Sequence, residues 1–102
     1  HCLPTAQVAT VFDALPFSAE RWRKNLSGNR WTWAAKRSAG EQGGAPAMWC
    51  PLTLAQLVHA REKDPKKKAA ILRKLDSLFN RNELLAPHRA AWGEYFELMR
   101  ND

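Results

Sequence analysis

KRSAGEQGGAPAMW, residues 36–49, interrupts a chain whose other segments carry helical spacing. Two basic residues run into small ones, and Gly40, Gly43 and Gly44 fall close together. Glycine takes positive φ with no Cβ penalty, so the stretch predicts a tight turn. The apolar run that follows, Ala47 to Cys50, predicts a returning strand. The two sides make a β-hairpin with a glycine tip and basic residues at its base. A hairpin set among helices predicts a mainly α fold with a small β-hairpin.

Upstream, Thr5 is placed to cap a helix whose apolar residues Val8, Val11 and Phe12 share one face. That helix is expected to stop near Asp13 or Ala14, because Pro16 restricts what precedes it. Ser18 predicts the cap of a second helix over 18–27, with Trp22 and Leu26 inward. Arg21, Arg23, Lys24 and Asn25 occupy its other sides, and Gly28 or Asn29 is expected to close it in a left-handed cap. RWTWAAKR, residues 30–37, alternates in part and predicts an extended segment. Trp31 and Trp33 then point one way, toward the core.

Downstream, Thr53 is expected to cap a third helix carrying Leu54, Leu57 and Val58. Asp64 followed by Pro65 is a capping carboxylate with proline at the first helical position. The helix it opens presents Ile71, Leu75, Leu78 and Phe79 on one face. A last helix is expected through residues 83–102, with Pro87 in its first turn or kinking it. Trp92, Phe96 and Met99 share a face of that helix. The division expected is 1–62 as one unit and 63–102 as a helical pair, packed on the first unit or used for association.

The chain has 102 residues, 16 Lys and Arg against 10 Asp and Glu, and a formal charge of +6. The excess is spread over both halves, which suits an anionic partner such as nucleic acid. Cys2 and Cys50 are too few for a disulfide framework and lack zinc spacing, which predicts a reduced, cytoplasmic protein. No apolar run is long enough to span a bilayer, and no signal peptide is visible, so no membrane partner is expected. Starting at His1, the chain reads as a piece of a longer protein. The histidines His1, His59 and His88 form no ligand spacing. GEQGG, residues 40–44, lacks the Lys-Ser/Thr finish of a phosphate-binding loop. The expectation is therefore no enzyme activity, no metal and no cofactor.

A helix can lay polar side chains against base edges in the major groove, Arg forking onto guanine and Asn onto adenine. Arg21, Arg23, Lys24 and Asn25 offer those groups. Arg30, Lys36, Arg37, Ser38 and Gln42 can donate to phosphates beside them, with Gly43 and Gly44 permitting close approach. Lys66, Lys67 and Lys68 crowd a helix start where the dipole favours acids, which marks them as auxiliary phosphate contacts. The rival function is a protein-interaction or homodimerisation module using Leu85, Trp92, Tyr95, Phe96 and Met99.

Residues 3–49 resemble the winged helix-turn-helix DNA-binding domain of phage Mu-type transposases and repressors. The resemblance extends to about residue 60. It rests on Leu15 and Pro16 in the turn and on Trp31 or Trp33 after the second helix. Arg37, Ala39, Gly40, Gly43 and Gly44 match the wing, and Met48 and Trp49 the return strand. It implies specific binding of double-stranded DNA by the second helix and the wing, in a phage or mobile-element transcription regulator or DNA-recombination protein. SGNRWTW, residues 27–33, is longer than the family's link between helix and wing, and Pro51 follows the return strand closely. The last forty residues match nothing in that family.

Overall fold

The structure, a computed structural model, describes residues 1–41 and 43–101. It is mainly helical with a three-stranded antiparallel sheet. Strand β1 is Leu3–Pro4, and helix α1 is Thr5–Val11. Helix α2 is Ala19–Gly28, and a 3-10 turn follows at Arg30–Ala35. The hairpin is β2, Lys36–Ser38, and β3, Met48–Trp49. Helices α3, Pro51–Arg61, and α4, Pro65–Arg81, come next. A second 3-10 turn, Glu83–His88, leads into α5, Arg89–Met99.

The glycine-rich stretch does return as a hairpin, with Lys36 opposite Trp49 and Ser38 opposite Met48. Leu3 and Pro4 pair with the far edge of β3, which makes the strand order β1-β3-β2. Gly40 holds φ +77° at the tip, where a Cβ would lie 2.7 Å from the Ala47 nitrogen. Only glycine lets the two arms approach that closely.

Two caps form as the residue types require. The Ser18 hydroxyl accepts from the Arg21 amide at 3.2 Å, and an Asp64 carboxylate oxygen accepts from the Lys67 amide at 2.9 Å. Two do not. Thr5 is the first helical residue rather than a cap, and its hydroxyl accepts from the Trp49 indole at 2.8 Å. Helix α3 begins at Pro51, so Thr53 lies inside its first turn and accepts from Arg37 at 3.2 Å. Helix α1 ends at Val11, and Asn29 closes α2 in extended backbone, not a left-handed one. The left-handed conformation falls instead on Ala14, at φ 67°. The Leu15–Pro16 peptide bond is cis.

Residues 30–35 are a 3-10 turn where an extended segment was expected. The Thr32 hydroxyl donates to the Asn29 carbonyl at 2.8 Å, and Thr32 is buried. With three residues per turn, Trp31 and Trp33 point about 120° apart and cannot share a side. Trp31 is half-buried, whereas Trp33 is 53% exposed. The last helix is likewise divided: residues around Pro87 form a 3-10 turn, and the α-helix starts only at Arg89.

One hydrophobic cluster runs from Leu3 and Val8 through Trp22, Trp49 and Val58 to Leu75, Phe79 and Trp92. Helix α3 is its middle, touching the 3-10 turn after α2 and also α4 and α5. The expected face of α4 is buried through Ile71, Leu75, Leu78 and Phe79. Phe79 and Trp92 stack at 4.7 Å, and the Trp92 indole donates to an Asp76 carboxylate oxygen at 3.0 Å. No helix among the described residues is long and apolar enough to cross a membrane.

Candidate nucleic-acid interface

Helix α2 is anchored by a narrow stripe. Trp22 and Leu26 are buried, and the Trp22 ring packs against Phe12 at 5.5 Å and Phe17 at 5.2 Å. Its indole donates to the Phe12 carbonyl at 3.0 Å. At about 100° per residue, Lys24 faces away from that stripe, with Arg21 and Arg23 on its two flanks. All three are exposed. Lys24 sits 3.8 Å from Glu20, a solvent-screened pair. The Arg21 guanidinium lies 5.3 Å over the Phe17 ring. Arg23 has no hydrogen-bond or ion-pair partner among the described residues.

Asn25 stands apart from them. Its amide donates to the Arg21 carbonyl at 2.9 Å. Its oxygen accepts from Asn29 at 2.6 Å and from the Trp31 indole at 3.0 Å. A carboxamide with those partners holds α2 to the turn behind it and is not presented to a base edge. Those hydrogen bonds, not its angle, set it apart, since Arg23 lies equally far from the buried stripe on the other side.

The 3-10 turn carries the chain about 12 Å from the end of α2 to the hairpin. Arg30 opens the turn, with its guanidinium 5.3 Å over the Trp33 ring. Trp33, Lys36, Arg37, Ser38 and Ala39 line one shallow cleft of about 430 Å³. Lys36 is half-buried, its ammonium 5.3 Å from the Trp49 ring. Arg37 donates to the Ala34 carbonyl at 2.7 Å and to the Thr53 hydroxyl, pinning the hairpin base to α3 while keeping its charge at the surface. Ser38, Gly43 and Gly44 are exposed. Gln42, expected to donate to phosphate, lies outside the described residues. The structure thus brings Arg30, Lys36, Arg37 and Ser38 together around an exposed tryptophan. Lys66 and Lys67 stand on α4 instead, exposed, while Lys68 is half-buried with its ammonium 3.4 Å from the Ala60 carbonyl.

Two participants have no local signal in the sequence. Trp33 belongs to the surface because of the 3-10 geometry. Arg61, at the end of α3, places its guanidinium 4.3 Å over Trp31, which lies 6.0 Å from Phe17. A basic residue in the last turn of a helix is ordinary, so nothing in its neighbourhood marks it. Arg21, Phe17, Trp31 and Arg61 thereby form an aromatic-basic shoulder beside α2.

Groups with displaced proton affinity are dispersed. Burial pushes the Cys50 thiol up, but hydrogen bonds from Thr53 and the charge of Arg37 outweigh it and hold the thiol below its ordinary range. Burial lowers His59, with Lys68 adding to the effect, and burial lowers His88, with the N-terminal ammonium adding. Among the described residues no three of His, Cys, Asp and Glu gather into a group able to hold a metal ion. Of the residues suggested for association, Leu85 and Trp92 are in the core, and Tyr95, Phe96 and Met99 are half-buried against it. No family model, curated protein or solved structure matches the chain.

Proposed function

We propose that this chain binds double-stranded DNA as a winged helix-turn-helix domain, of the kind its first sixty residues resemble in phage Mu-type transposases and repressors. The carrying observation is helix α2: Lys24 is exposed opposite a buried Trp22–Leu26 stripe, with Arg21 and Arg23 exposed on its flanks and one screened carboxylate nearby. In this reading α2 enters the major groove, where an arginine fork matches the two acceptors of guanine. The hairpin is the wing. Arg30, Lys36, Arg37 and Ser38 contact phosphates at its base and set the register of the protein on the duplex. Trp33 lies along the sugar edge, and Arg61 extends the basic surface past Trp31. Asn25 acts indirectly by fixing the angle of α2.

The test is fluorescence anisotropy with duplexes selected from a random pool, at stated salt concentrations. Arg23→Ala and Lys24→Ala should each weaken binding by about 1–3 kcal/mol, and Arg21→Ala similarly. Affinity should fall as salt rises, because phosphate contacts release counterions. Trp22→Ala should instead unfold the domain, at a cost of about 3–5 kcal/mol. Parental affinity in all three cation variants would reject α2 as the reading helix.

A further inference from the structure

We propose that the groove between the end of α3, the start of α4 and the end of α5 binds a small amphipathic carboxylate, an organic acid with a medium-length apolar tail. The groove has a volume of about 430 Å³ and apolar walls from Leu72, Phe96 and Met99. Lys68, Arg73 and Arg100 also line it, and among the described residues no acidic one does. Arg100 is exposed and reaches Glu97 on its own helix at 3.5 Å. Arg73 has no hydrogen-bond or ion-pair partner among the described residues. A cationic lining around an apolar trough favours a ligand with one negative end and one greasy end.

His59 decides which end goes where. Its side chain is buried, with 3% of the residue exposed, yet it lines the groove. Its Nδ1 is 2.6 Å from the Tyr95 hydroxyl, and Tyr95 does not line the groove. No partner for Nε2 occurs among the described residues, and no fully enclosed side-chain nitrogen or oxygen lacks a partner there. The Nε2 edge therefore opens onto the groove. The other acceptor near the Tyr95 hydroxyl, the Gln56 carbonyl, is distant at 3.4 Å and sits within helix α3. In the proposed site the Tyr95 hydroxyl donates to Nδ1, the shorter of its two contacts, so that the neutral imidazole carries its N–H on Nε2. Burial and the Lys68 charge both lower the proton affinity of the ring, and Lys68 lines the same groove. A carboxylate there accepts from Nε2 and pairs with Lys68. Its apolar body then lies along Leu72, Phe96 and Met99, with Arg73 and Arg100 beside the opening.

The test is calorimetric titration of the chain with octanoate, octanol and acetate, paired with nitrogen-detected spectra of the His59 ring. Saturable octanoate binding with a shift of the Nε2 resonance is expected, and octanol and acetate should bind far more weakly. Lys68→Gln, at a half-exposed position, should lower octanoate affinity about tenfold, and Arg81→Gln elsewhere on α4 should not. No saturable binding would overturn the proposal. So would octanol binding as well as octanoate, acetate binding equally, or Lys68→Gln matching the parent. An equal loss in Arg81→Gln would reduce the effect to general charge attraction and overturn it as well. DNA binding is tested on different residues, so either reading can fail alone.

Discussion

Ala14 is the one non-glycine residue among the described residues with a left-handed backbone. Its φ of 67° is left-handed, and its amide donates to the Phe17 carbonyl at 2.7 Å, which closes the turn between α1 and α2. An L-residue with a Cβ is strained there by about 1–2 kcal/mol, partly offset by the extra freedom that glycine adds to the unfolded chain. Ala14→Gly should therefore raise stability by about 0.5–1 kcal/mol in denaturant titration. A loss of stability would mean that the alanine methyl makes a contact outweighing the strain. Asn25 teaches a related lesson. Its residue type suits base reading, but three hydrogen bonds assign it to holding the helix.

At the scale of elements, the hairpin depends on two glycines in different ways. Gly40 has φ +77° and a backbone nitrogen only 2.7 Å from where a Cβ would be. Gly43 has φ +71° but nothing within 4 Å. Gly43→Ala should cost about 1 kcal/mol from conformation alone. Gly40→Ala should cost clearly more, because the Ala47 nitrogen is backbone and cannot swing aside. Thermal unfolding of the two variants, with the Trp49 amide resonance as a local probe, compares them. Equal losses would show that the close approach at Gly40 contributes nothing. The same scale explains the 3-10 turn. A six-residue run of that geometry turns Trp31 inward and Trp33 outward, and so sets an exposed aromatic ring between α2 and the wing.

The whole molecule measures 45 × 27 × 20 Å and holds one continuous hydrophobic cluster. Helix α3 joins the two ends: Arg37 of the hairpin donates to its first turn, and His59 near its end meets Tyr95 of α5. His59 and His88 both hold protons less readily in the fold than the usual 6.5. The unfolded chain therefore takes up more protons as pH falls through that value. Stability contributed by these groups is complete above about pH 6.5 and declines below it. The melting temperature should fall between about pH 7 and pH 5. His59→Gln should flatten that decline, and an unchanged slope in both His59→Gln and His88→Gln would assign it to other groups.

Features made within one turn of chain were legible from the residues alone. The caps at Ser18 and Asp64, the inward pairs Trp22–Leu26 and Leu75–Phe79, and the glycine tip of the hairpin all follow from neighbours a few positions apart. Basic side chains on the outer face of α2 were legible for the same reason. Tertiary structure decided the rest. Thr5 gave up a capping role to accept from Trp49, Arg61 at the end of α3 reached Trp31, and the chain's first residues joined a strand from its middle. Each of those contacts joins residues thirty or more positions apart. Local periodicity carries no record of such pairs, because only the packing of the core brings them within a few ångströms.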